Sequence, residues 1–78
     1  MNITVYTKSN CPNCVAAKRL LNSKALAYND FDIEAHPEMA AVLLRDHPGA
    51  RQMPQIFIDG QRVGGLAGLQ AALKQVGL

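Results

Sequence analysis

The sequence predicts an α/β fold, a four-stranded mixed sheet flanked by three helices in the order β-α-β-α-β-β-α. Three observations carry it. Short runs of β-branched and aromatic residues alternate with Ala/Leu-rich amphipathic runs along the 78 residues. The first two strand-like runs are separated by a helix-like one, which requires a right-handed crossover between parallel strands. The last two are separated only by Asp59-Gly60, a strong signal for a tight antiparallel hairpin.

Ile3-Thr4-Val5-Tyr6 opens the chain as a strand because it alternates in type and is β-branched and aromatic. Thr7 to Asn10 is a polar turn. Pro12 suits the first position of a helix, where its missing N–H would have had no partner anyway. Val15 through Ala25 reads as that helix, with Leu20 and Leu21 inward and Lys18, Arg19 and Asn22 outward. Tyr28 to Ile33 is the second strand, with Tyr28, Phe31 and Ile33 as its apolar members.

His36-Pro37-Glu38 starts a second helix, with proline and an acidic residue in its first turn. Its inward residues are expected to be Met39, Val42, Leu43 and Leu44, and it ends near His47-Pro48-Gly49. A loop over 48–53 leads to the strand Gln55-Ile56-Phe57-Ile58, and Gln61-Arg62-Val63 returns beside it. After Gly64-Gly65, the residues Leu66, Leu69, Leu73 and Val76 recur at helical spacing on one face. No repeat, linker or low-complexity stretch divides the chain, so residues 1–78 are expected to form a single domain.

Composition narrows the function classes. Apolar residues make up 49% and charged residues 18%, a globular balance rather than a disordered one. A net charge of +2 is too small to point to nucleic acid. Lys8, Lys18, Arg19 and Lys24 read as a solvated helix face and its approach. The chain opens without a secretory pattern, and no apolar run approaches the roughly 20 residues that span a bilayer. The expectation is therefore a cytoplasmic protein without membrane or nucleic-acid partners. In that reducing compartment two neighbouring cysteines are more plausibly chemical than structural.

Those two are Cys11 and Cys14, in Cys11-Pro12-Asn13-Cys14 between a strand and a helix. Cys11 would sit at a helix N-terminus, where unpaired N–H groups and the helix dipole favour an anion. Lys8 would add positive charge. An ordinary cysteine is only a few per cent thiolate near pH 7, so both influences favour the reactive form. Cys14 lies about one turn further on, within reach of Cys11 but facing inward. Cys11 is thus expected to attack a substrate disulfide, and Cys14 to resolve the mixed disulfide. A structural zinc site needs four ligands. Only His36 and His47 remain to complete one, and both read as surface or capping residues, so no metal is expected. Two inert, space-filling cysteines are the other alternative.

Beyond the cysteines, the chain resembles a dithiol glutaredoxin along essentially its whole length, which implies the smallest thioredoxin-like architecture. The residues that carry the resemblance are Tyr6-Thr7-Lys8 before the cysteine motif, Asp32-Ile33-Glu34, Met53-Pro54-Gln55-Ile56-Phe57-Ile58-Asp59-Gly60, and Gly64-Gly65. The resemblance implies a cis peptide before Pro54, with the backbone of Met53 offered beside the cysteines for strand-like pairing with a substrate. It also implies glutathione as electron-donating co-substrate, with no bound cofactor. By the same resemblance Lys8 and Gln52, with Arg51 as a weaker candidate, would meet the glycine carboxylate. The N–H groups of Leu66 and Ala67 would meet the γ-glutamyl carboxylate. Asn13, Met53, Pro54 and Gly65 would complete the groove.

Two departures stand out. Asn13 replaces a common tyrosine and removes an aromatic wall. Leu66-Ala67-Gly68 replaces polar and acidic residues, so an acidic partner for the glutathione amine is missing there. The first alternative function is a redoxin reduced by thioredoxin reductase that donates electrons to ribonucleotide reductase. Against it, the chain has no Trp and lacks that group's aromatic segment. An alternative of another class is an iron–sulfur carrier, a dimer held through Cys11 and glutathione, though its specialised members usually lack the second cysteine. A purely adaptor role would leave Cys11 dispensable. Otherwise a monomer acting on disulfide-containing proteins is expected.

Overall fold

The central strand is apolar on both faces, and this decides where everything else packs. In the computed structural model, which describes all residues Met1–Leu78, strand β1 (Ile3–Thr7) is flanked by β2 (Asn29–Asp32) and β3 (Gln55–Ile58), with β4 (Gln61–Gly64) outermost. The sheet order is β2-β1-β3-β4; β1 runs parallel to β2 and antiparallel to β3, and β3 runs antiparallel to β4. Helices α1 (Pro12–Ser23), α2 (Pro37–Asp46) and α3 (Leu66–Gln75) complete the expected order.

Alternation along β1 divides the core in two. Ile3 and Val5, with Ile56 from β3, pack against Ala17 and Leu21 of α1 and Leu69 and Leu73 of α3. Tyr6 packs on the other side with Leu43 of α2 and Ala50, joined by half-buried Phe31, Met39 and Phe57. The Tyr6 ring lies 5.8 Å from that of Phe31 and meets Phe57 edge-on at 5.7 Å. Each buried branched or aromatic side chain contributes about 1.5–3 kcal/mol over its exposed state, so both layers are needed in a chain this short.

The edges are polar. Asn29 and Asp30 of β2 and Gln61 and Arg62 of β4 are exposed, which discourages pairing with another chain. The hairpin turn is the expected one: Asp59 and Gly60 both take positive φ, at 51° and 82°. It is tied to the chain start by Asp59 N–H to the Asn2 carbonyl at 2.7 Å and by Asn2 N–H to Asp59 Oδ1 at 2.8 Å.

Several element details differ from the sequence reading. Helix α1 starts at Pro12 and ends at Ser23, because Cys11 caps it and Ala25 turns left-handed at φ 56°. Strand β2 is shorter than expected, with Tyr28 and Ile33 flanking it. Lys18 is half-buried and paired to Asp30 at 2.9 Å. In α2 only Leu43 is fully buried; Val42 and Leu44 are exposed, since residues 100° apart around a helix cannot all face one sheet. Val76 is exposed because α3 ends one residue before it.

Candidate active site

Strand β1 delivers the chain to the edge of the sheet at Thr7, and a three-residue turn sets the start of α1 beside it. Asn10 turns left-handed at φ 54°, and Cys11 is extended at φ −122°, ψ 95°. Cys11 is then the N-cap of α1: its Sγ accepts the N–H of Cys14 at 3.1 Å, and its carbonyl accepts from Cys14 and Val15. Pro12 fills the first helical position. A sulfur therefore occupies the place usually taken by a capping oxygen, aimed at the positive end of the helix.

The two cysteines are joined as a disulfide, their Cα atoms 5.2 Å apart. Cys11 retains 8% of its surface and Cys14 only 2%, so Cys11 is the more accessible sulfur. Across from it, the Met53–Pro54 peptide is cis, and the Met53 carbonyl oxygen lies 3.5 Å from Cys11 Sγ. The turn is braced from within by Gln55 Nε2, which donates to the Gln52 carbonyl at 2.8 Å. Gly65, the N-cap of α3, lies alongside: a Cβ there would stand 3.6 Å from the Pro54 carbonyl oxygen. No side chain caps α3, which leaves its first N–H groups, those of Leu66 and Ala67 included, without side-chain partners.

The approach loop is held from β2. Thr7, nearly fully buried, donates from Oγ1 to Asp30 at 3.0 Å, and its carbonyl accepts Ile33 N–H at 2.9 Å. Glu34 accepts Ser9 N–H at 2.7 Å, and Asp32 accepts from the backbone of Glu34 and Ala35. Hydrogen bonds from Ser9, and to a lesser degree the nearby Lys8 ammonium, hold the Glu34 carboxyl below the usual carboxylate range.

Cys11, Cys14, Met53, Pro54 and Gly65 are thus gathered around one point. Lys8, Asn13, Gln52 and Ala67 are exposed, Lys8 without an ion pair, while the Leu66 side chain packs on the core and offers only its backbone. His36 and His47 cap opposite ends of the ten-residue α2, roughly 15 Å apart, and so do not form a shared pair of metal ligands.

Three features escaped the sequence reading. Glu34 is a loop anchor, and Gln55 braces the cis-proline turn. Gly68 is required for a steric reason: a Cβ there would collide with the Val63 carbonyl, coming within 2.8 Å of its carbon. The intimate docking of α3 on β4 requires glycine, and it places the start of α3 beside Pro54. Only the spacing of Gly68 from the Gly64-Gly65 pair hinted at this.

Comparison with known proteins agrees with this arrangement. The glutaredoxin family model matches residues 3–63. Glutaredoxin 3 of Escherichia coli strain K12 is 36% identical over 77 residues, covering 99% of this chain and 92% of that protein. The solution structure of glutaredoxin from Brucella melitensis superposes with a TM-score of 0.73 at 38% identity, covering 99% of this chain and 82% of that one. The glutaredoxin-like NrdH-redoxin of Escherichia coli, described as having a thioredoxin-like activity profile, superposes with a TM-score of 0.78 at 26% identity, covering 91% of this chain and 93% of that one. The chain belongs to the glutaredoxin family of thiol–disulfide oxidoreductases, built on a thioredoxin-like fold.

Proposed function

We propose that the chain reduces protein and glutathione mixed disulfides at the expense of glutathione, with Cys11 as nucleophile and Cys14 as resolving thiol. The observation that carries this reading is the asymmetry of the pair: Cys11 is the more exposed sulfur and caps α1, while Cys14 is almost fully buried behind it. In the reduced protein the Cys14 N–H and the helix dipole favour negative charge on Cys11.

The Cys11 thiolate attacks one sulfur of a substrate disulfide and expels the other as a thiolate. Cys14, losing its proton, attacks Cys11 Sγ and releases the second substrate sulfur, leaving the Cys11–Cys14 disulfide. One glutathione thiolate opens that disulfide at Cys11, and a second releases oxidised glutathione and restores both thiols. Two electrons pass from two glutathiones to the substrate.

The glutathione contacts belong to the proposal. Lys8 and Gln52 would receive the glycine carboxylate, with Arg51 near them. The backbone of Met53 before Pro54 would pair with the cysteinyl residue, and Asn13 and Gly65 would border it. The uncapped N–H groups at Leu66 and Ala67 would take the γ-glutamyl carboxylate. Glutathione is then a co-substrate rather than a resident cofactor. Cysteine usage of this kind fits a reducing compartment such as the cytoplasm, and no helix is long and apolar enough to cross a membrane.

A second reading, reduction by thioredoxin reductase with delivery to ribonucleotide reductase, draws on the likeness to NrdH-redoxin and on the absence of acidic residues in the first turn of α3. The higher identity to Glutaredoxin 3 favours the glutathione reading. The test compares turnover of a glutathione mixed disulfide with glutathione and its reductase against turnover with thioredoxin reductase. Activity only in the glutathione system is expected, abolished in Cys11→Ser. Cys14→Ser should keep turning over the glutathione mixed disulfide, which a single thiol can resolve with free glutathione, and lose reduction of protein disulfides. Turnover only with thioredoxin reductase would replace this reading with the second.

A further inference from the structure

Beside the cis-proline turn, on the sheet face that carries α2, lies an open cleft of about 510 Å³ lined by Arg51, Gln52, Gln55, Arg62 and Gly64 among others. Its charge is one-sided. Both arginines are exposed, neither forms an ion pair, and no acidic residue lines the cleft. Gln55, 9% exposed, spends its Nε2 on the Gln52 carbonyl and leaves Oε1 as the buried side-chain polar atom with no hydrogen-bond partner. An unmet buried acceptor is costly, and a donor brought in by a ligand would relieve it. The cleft thus presents two unpaired positive charges, with the unmet Gln55 acceptor buried in its wall. That combination matches a peptide, which carries backbone N–H groups and, when acidic, carboxylates. A bare inorganic anion supplies no such donor.

The cleft is also continuous with the reacting sulfur. Gln52 is the neighbour of Met53, whose carbonyl stands 3.5 Å from Cys11 Sγ. A polypeptide whose cysteine is bonded to Cys11 and whose backbone pairs with Met53 brings its flanking residues toward this cleft. We propose that the Arg51–Arg62 cleft is a substrate subsite that selects disulfide-bearing polypeptides with acidic residues flanking the reacting cysteine. This rests on the disulfide-exchange reading above and adds its substrate class. Arg62 acts as a specificity-determining residue and has no part in the chemistry. Exposed charge pairs are individually weak and screened by salt, so the preference is severalfold and confined to low ionic strength.

The test uses the full chain, reduced beforehand and freed of reductant, in single-turnover cleavage of two fluorescence-dequenching peptide disulfides. The peptides are identical except for Glu or Gln on either side of the cysteine. Wild type should cleave the Glu peptide about three- to tenfold faster at low salt and equally fast in 0.5 M salt. Arg62→Gln should lower the low-salt ratio about two- to threefold without slowing the Gln peptide, and Arg62→Lys should restore most of it. Equal rates on both peptides in wild type would overturn the subsite, as would a preference that survives Arg62→Gln undiminished or a loss that Arg62→Gln causes equally on both peptides. Since glutathione is absent from this assay, an effect of Arg62 on its binding cannot imitate the result. Failure of wild type to cleave either peptide would instead overturn the disulfide-exchange reading beneath it.

Discussion

At the scale of single residues, the site depends on small polar anchors as much as on the two sulfurs. Glu34 is the clearest. Its carboxylate holds the Ser9 N–H at 2.7 Å and so fixes the loop from which Lys8 projects and Cys11 begins. Hydrogen bonds from Ser9 hold its carboxyl below the usual carboxylate range, with Lys8 adding to them. A carboxyl lowered by folding stabilises the native state above its unfolded pKa, and that contribution is lost as pH falls through the folded value. Melting temperature followed from pH 7 to pH 3 should therefore fall more steeply for wild type than for Glu34→Gln below about pH 4.5. The difference should be small, because the group is exposed, and should shrink further in high salt. Parallel curves would mean that the bond to Ser9 contributes nothing in solution. The cysteine pair and its flanking residues were legible in the sequence because their spacing and neighbours are local. Glu34 was visible only as part of an acidic strand end, since its partner is 25 residues away.

At the scale of elements, the order of strands and helices was legible and the faces of α2 were not. Period and turn chemistry fixed the hairpin at Asp59-Gly60 and the crossover through α1, both local signals. In α2 the consecutive Val42, Leu43 and Leu44 offered three candidate inward positions, and aromatic Tyr6, Phe31 and Phe57 already fill most of the sheet face below. Only Leu43 finds a buried place. Leu43→Ala should accordingly cost about 2–4 kcal/mol in urea unfolding, whereas Val42→Ala should cost under about 1 kcal/mol. The junction of α3 with β4 makes a sharper demand. Gly68→Ala drives a Cβ into the rigid Val63 carbonyl, so helix and strand must separate, at about 1–3 kcal/mol. Because the same helix starts at Gly65 beside Pro54, the shift should also raise KM for glutathione with little change in the reactivity of Cys11 toward a small alkylating reagent. Gly49→Ala meets nothing within 4 Å and should be close to neutral for stability. Equal costs for the two glycines would mean that α3 docks more loosely than the geometry indicates.

At the scale of the whole molecule, two thin cores share one sheet, and their interdependence is the remaining question of stability. One layer rests on Ile3 and Val5 of β1, the other on Tyr6 of the same strand, so neither can lose β1 and survive. For 78 residues total stability is expected near 4–12 kcal/mol. Leu69→Ala, at about 2–5 kcal/mol, removes a large part of that. The chain has no Trp, and its two tyrosines report on different layers: Tyr6 on the α2 side, Tyr28 against the α1–α3 side. With Tyr28→Phe as background, Tyr6 fluorescence reads only the layer that Leu69 does not touch. If the shared strand couples the layers, adding Leu69→Ala should shift the urea midpoint of Tyr6 fluorescence by as much as it shifts that of far-ultraviolet circular dichroism, with one coincident transition. A Tyr6 midpoint left in place while the circular dichroism midpoint falls would separate the layers into independent units. The active site would then be anchored mainly by the α1–α3 layer, because α1 carries both cysteines and α3 flanks the cis-proline turn. Coincident transitions would mean instead that both layers, and with them Cys11 and the Met53–Pro54 turn, unfold as one cooperative unit.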